Sequence, residues 1–190
     1  MRKLNSYQNT LNAETIKELL VIEHRYLLKI VLLLVLYIFA VSITVYINQI
    51  FGFYGYFCSI PLYLLAGASL HGICLFTHEG VHGTLYKNTW INNLIGSLCG
   101  YVVLQTMAGY RVLHLKHHKY LNIEGDPGLL KTYVSNKYII TAMEWGYFLF
   151  GYVAFLSVIP YQGFKLGTKK DRLLITRDII FMILFVWLSL

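Results

Sequence analysis

The chain has 190 residues, of which 57% are hydrophobic and only 13% charged, and it carries a formal net charge of +7. That is too apolar for an ordinary soluble domain, and the basic residues form no soluble face on a binding fold, which excludes a nucleic-acid partner. Three cysteines, Cys58, Cys74 and Cys99, are an odd number without framework spacing, which excludes a disulfide scaffold and a thiolate zinc site.

Residues 1–29 are polar and basic and read as a cytoplasmic N-terminal segment; residues 30–190 read as a membrane domain. From Leu11 to Ile30 the helical period groups Ile16, Leu19, Leu20 and Ile22, which predicts a helix on the membrane surface. Ile30 to Ile47 and Phe57 to Thr77 are apolar runs. Each reaches the roughly 18–20 residues needed to cross about 30 Å of hydrocarbon. Between them, Gln49 to Tyr56 carries no formal charge. Arg2, Lys3, Lys17, Arg25 and Lys29 precede the first span, which predicts a cytoplasmic N-terminus and a return to the cytoplasmic side at His78. The long polar lead and the lack of a small-residue cleavage site argue against a cleaved signal peptide.

Ile91 to Ala108 is apolar but interrupted by Asn92, Asn93, Gly96, Gly100 and Gln105. A full crossing there would separate His114 from His78, so an interfacial or re-entrant helix is expected. Tyr138 to Pro160 reads as a third span. Tyr161 to Asp178 is basic, with Lys165, Lys169, Lys170, Arg172 and Arg177, yet strict alternation would place it outside. Either Tyr138 to Pro160 does not cross fully, or the positive-inside tendency is broken. Ile179 to Leu190 opens a further apolar run. The expected fold is an all-α integral membrane protein, with about four transmembrane or re-entrant helices and its histidines at the cytoplasmic face.

Five of the seven histidines lie in two groups, His78-Glu79-Gly80-Val81-His82 and His114-Leu115-Lys116-His117-His118. Spacings of three or four put side chains on one helix face, one turn apart. Each group can therefore aim two or three imidazoles at one point, and imidazole is a good ligand for iron, zinc or copper. His71, two turns before His78, is a candidate for supporting a ligand or lining a substrate tunnel, although a packing histidine explains it as well. His24 reads as surface.

Two metal readings compete. His78-Glu79-x-x-His82 fits the zinc-protease pattern HExxH, with Glu79 as general base and Asp126 as a third ligand. That reading leaves His114, His117 and His118 unexplained, and a larger cluster suits two metals better than one. The stretches HEGVHGTLYKNTWINNLIG and RVLHLKHHKYLNIEGDPG resemble the first and second histidine boxes of the membrane fatty acid desaturase and hydroxylase superfamily. The resemblance runs from Phe57 to Leu130.

That resemblance implies two irons bound by His78, His82, His114, His117 and His118, with O2 as co-substrate. It implies electrons from a carrier such as ferredoxin or cytochrome b5, and hydrogen removal from a lipid acyl chain. Carotenoid or lipid hydroxylases and ketolases share these boxes. Glu79 and Asp126 would orient ligand histidines, although Asp126-Pro127-Gly128 also reads as a simple turn. The superfamily places a third box after the last spans, whereas no histidine follows His118. The expectation is therefore a fragment or truncated product that binds iron weakly, or a non-catalytic remnant.

Overall fold

The computed structural model describes Thr15 and residues 21–189. The expected surface helix over Leu11 to Ile30 lies largely outside the described residues. Beyond it, a 3-10 turn at His24–Leu27 leads into seven α-helices, with no strand among the described residues: α1 (Leu28–Phe51), α2 (Phe53–Cys58), α3 (Ile60–His82), α4 (Thr89–Val102), α5 (Met107–Tyr120), α6 (Lys137–Leu166) and α7 (Lys169–Ser189).

Both early apolar runs form long helices, and the spans His24–Phe51 and Ile60–His82 are long and apolar enough to cross a membrane. Gly52 ends α1 at a positive φ of 52° and α2 fills the uncharged link. Pro61, at the first turn of α3, lacks only an N–H that the helix would not use there. The core between α1, α3 and α4 is built on Ile73, Cys99 and Val103, with Leu33, Leu34 and Leu70 against them. The outer faces are apolar and bare: Val31, Leu32, Val35 and Ile38 on α1, and Tyr138, Phe148 and Leu149 on α6, are all exposed. So large an apolar surface suits lipid rather than water.

Ile91 to Ala108 is not one helix. It breaks after Val102, where Leu104 takes a positive φ of 53° and Gln105 N–H donates to the Gly100 carbonyl at 2.8 Å. The two resulting helices have 14 residues each. At 1.5 Å per residue each covers about 21 Å, too little to cross alone. α5 instead brings its histidines beside those of α3.

α6 is bent. Lys137–Val153 and Phe155–Leu166 meet at 94°. Phe150 leaves helical geometry (φ −124°, ψ 18°), and Pro160 further along cannot donate a backbone hydrogen bond. The second half returns against α5, where Gly163 and Gly109 meet so closely that a Cβ on Gly163 would lie 2.8 Å from the Gly109 Cα. A Cβ on Gly167 would lie 3.5 Å from Val112 of the same helix. The basic segment thus packs beside α5 rather than a full span away from it. It is helical over most of its length, since α6 runs to Leu166 and α7 begins at Lys169.

A topology follows. Single cysteines at the exposed positions Lys87, Lys119 and Lys170, in a cysteine-free background, should all react with an impermeant thiol reagent from one membrane face. Reaction of Lys87 and Lys119 positions from opposite faces would contradict the arrangement.

Candidate metal centre

The first histidine box lies inside α3, not after it. Gly83 stops the helix one residue past His82 at a φ of 78°, a conformation side chains disfavour. The last carbonyls of a helix need outside donors. Here Glu79 O accepts from Thr84 N–H at 3.1 Å and from the Thr84 hydroxyl at 3.0 Å. Gly80 O accepts from Asn92 Nδ2 at 2.8 Å and Arg111 at 3.3 Å, and Arg111 also donates to Asn93 Oδ1 at 2.6 Å. α3 is therefore tied between its two histidines to both α4 and α5. Gly80 also permits the approach: a Cβ there would lie 2.9 Å from the Gly96 Cα of α4.

The two boxes meet. His82 Nε2 and His114 Nε2 are 2.8 Å apart, and His118 Nε2 and His114 Nε2 are 2.9 Å apart. The rings of His78 and His114 are 4.3 Å apart. His78, His82 and His114 each offer a nitrogen within 4.8 Å of the others. Burial, followed by the neighbouring rings of His78, His118, His82 and His117, pushes His114 down to about 4, so it is neutral near pH 7.

A neutral imidazole nitrogen can serve as donor or acceptor, not both. His114 Nε2 faces two other Nε2 atoms and cannot satisfy both as an ordinary donor–acceptor chain. A cation shared by the lone pairs resolves this. Nitrogens about 2.1 Å from one ion and at right angles would lie about 3.0 Å apart, close to the observed separations. The residues therefore fit a metal.

His117 stands beside this group, its ring 5.9 Å from that of His118. Its Nδ1 lies 2.8 Å from Asp126 Oδ1. The same oxygen accepts from Gly128 N–H at 2.7 Å, and Oδ2 accepts from Asn122 N–H at 2.9 Å. Burial raises the Asp126 pKa, but the His117 and backbone hydrogen bonds outweigh it and hold the carboxyl below its ordinary range. Asp126 is thus at once the turn former and the carboxylate behind His117. It is not beside His78 and His82 as the protease pattern would need; the third nitrogen there comes from His114.

Glu79 lies at the exposed end of α3, where its carboxylate accepts from the Thr84 hydroxyl. His71 is exposed two turns back on α3, and His24 stacks on Tyr86 at 4.2 Å in the turn after the first box.

The profile of the fatty acid desaturase family matches residues 54–190. The chain belongs to this family. An sn-1 oleoyl-lipid 12-desaturase from a Picosynechococcus species is 32% identical over 63 residues, 33% of this chain and 18% of that protein. A dihydrorhizobitoxine desaturase from Bradyrhizobium elkanii is 40% identical over 76 residues, 38% of this chain and 21% of that protein. An sn-1 acyl-lipid omega-3 desaturase (ferredoxin) from a Nostoc species is 29% identical over 111 residues, 57% of this chain and 30% of that protein. These matches cover less than a third of each relative's length. No solved structure matches the chain.

Several residues of this desaturase-family site escaped sequence reading. Tyr110 lies four residues before His114, so its helical spacing was the available signal. Its hydroxyl is 3.0 Å from His78 Nδ1. Asn92 and Asn93 were visible only as interruptions of an apolar run. Asp178 had no local signal. It is buried, and it accepts from Tyr101 OH at 3.1 Å and from Ala108 N–H at the start of α5 at 2.9 Å.

Proposed function

We propose that the protein is a membrane lipid desaturase whose two histidine boxes hold a di-iron centre. The observation that carries this reading is the meeting of His82, His114 and His118 through their Nε2 atoms, beside His78. Family membership and the bare apolar outer surface support it. His78, His82, His114 and His118 would hold metal at the shared point, and His117 would hold it at the side. Bound iron would supply O2 reduction coupled to removal of two hydrogens from an acyl chain, with two further electrons from a carrier such as ferredoxin or cytochrome b5.

The rest is the work of this chain's own residues. Asp126 keeps a proton on His117 Nδ1 and so frees Nε2 as an electron-pair donor. Arg111 and Asn92 fix the end of α3 against α5 and α4, so that the boxes keep their separation. Glu79 steadies the turn behind His82 through Thr84. The bare apolar faces of α1, α3 and α6 would lie against lipid chains. The boxes and N-terminus are assigned to the cytoplasmic side, where a soluble carrier can reach them.

Expression in cells with a reduced-ferredoxin supply tests the reading. Total lipid acyl chains should gain a product lighter than a resident chain by two hydrogens, dependent on His82. A product heavier by one oxygen would make the protein a hydroxylase, and an unchanged lipid profile would overturn the desaturase reading.

A further inference from the structure

We propose that Tyr110 is a positioning residue of the metal centre, holding His78 through Nδ1 so that its Nε2 is presented beside His82 and His114. The inference rests on the metal-centre reading above and adds a residue that the box pattern does not contain. Tyr110 lies on α5, one turn before His114, and therefore shares the face that carries the second box. Its phenol oxygen is 3.0 Å from His78 Nδ1 on α3. Its ring stacks on His114 with centroids 4.9 Å apart and planes at 19°. One side chain thus touches a ring from each box, by a hydrogen bond on one side and by stacking on the other.

The chemistry of imidazole makes the hydrogen bond consequential. A neutral ring carries one proton, and the nitrogen that donates electrons to a cation must be the bare one. The other nitrogen then bears the proton and needs an acceptor. His117 has the Asp126 carboxylate for this purpose. His78 has the Tyr110 oxygen. Without a cation the phenol can either donate to Nδ1 or accept from it; a cation at Nε2 leaves only the second arrangement. Tyr110 therefore selects the ring orientation, and metal selects the tautomer. The stacking on His114 makes the same side chain a spacer between α3 and α5, so tilting of either helix disturbs both boxes together.

The test uses the full chain in detergent, with Co(II) and Zn(II) as probes and ¹⁵N-labelled histidine. Tyr110→Phe removes the oxygen and keeps the ring. It should leave the thermal midpoint within a few degrees of the wild type. It should weaken Co(II) binding by about 10-fold or more, the range for loss of a group behind a ligand, and it should change the visible Co(II) spectrum. In Zn(II)-loaded wild type the His78 Nδ1 resonance should be that of a protonated nitrogen, and it should move in Tyr110→Phe. Tyr110→Leu, which also loses stacking, should bind more weakly still. If Tyr110→Phe is unstable, 3-fluorotyrosine at position 110 weakens the oxygen as an acceptor with little change of shape and should move the same signals. Wild-type affinity, spectrum and His78 resonance in the Phe or fluorotyrosine protein would overturn the inference while leaving the metal centre intact. Failure of the wild type to bind either ion would overturn the metal centre, and the role of Tyr110 with it.

Discussion

Alanine at His114 should lower metal affinity by well over 100-fold, more than any other single histidine change. His114 is the ring on which the cluster converges: its Nε2 faces those of His82 and His118 at 2.8 and 2.9 Å, and its ring is the neighbour of His78. Losing a group behind a ligand costs about 10–100-fold, and losing the shared ligand itself exceeds that. The α5 backbone should survive, because His114 is only partly buried and, among the described residues, its side chain hydrogen-bonds only to other histidines. His24→Ala and His71→Ala, outside the cluster, should bind metal like the wild type. Titration with Co(II) or Zn(II) separates these cases, and an unchanged affinity in His114→Ala would place the metal elsewhere.

Asp178→Ala should be the most destabilising change away from the histidines. Thr106 begins α5 without capping it through its own side chain. The cap comes instead from α7, 70 residues on, where Asp178 Oδ2 accepts from Ala108 N–H. A carboxylate at a helix N-terminus is also favoured by the helix dipole. Truncation leaves Ala108 N–H and the Tyr101 hydroxyl buried without their acceptor, at about 1–3 kcal/mol each. It also releases Arg177, 2.7 Å from the same carboxylate. Since α5 carries three of the five box histidines, loss of its N-terminal anchor should weaken metal binding as well as lower the thermal midpoint in detergent. Asp178→Asn, which keeps an acceptor oxygen, should lose less. A midpoint for Asp178→Ala equal to that of the wild type would show that the cap is not a significant tether.

The parts of this architecture that could be read from the sequence are those set by local pattern. The run Ile30 to Ile47 became α1, and Phe57 to Thr77 became most of α3, because unbroken apolar stretches leave few alternatives. The i, i+4 spacing of His78 with His82 and of His114 with His118 sets each pair one turn apart on its helix, and the rings of each pair are neighbours. What was not legible depends on partners distant in the chain. Ile91 to Ala108 breaks at Leu104 without glycine or proline at that position, and the new helix is capped at Ala108 by Asp178, 70 residues on. The bend in α6 puts its second half on Gly109, and neither glycine of that contact stands out in a sequence with 15 of them. Tyr110 is one of 16 tyrosines; its spacing puts it on the face of His114, but its reach to His78 depends on the packing of α5 against α3.

The central claim is that the two boxes build one iron site. Anaerobic Fe(II) titration of the purified, metal-free chain in detergent, read by bound iron per chain and by Mössbauer spectroscopy with ⁵⁷Fe, tests it most directly. The account predicts saturable binding of iron in a nitrogen-rich environment, abolished in His114→Ala. Absence of saturable iron binding in the wild type, or undiminished binding in His114→Ala, would contradict it.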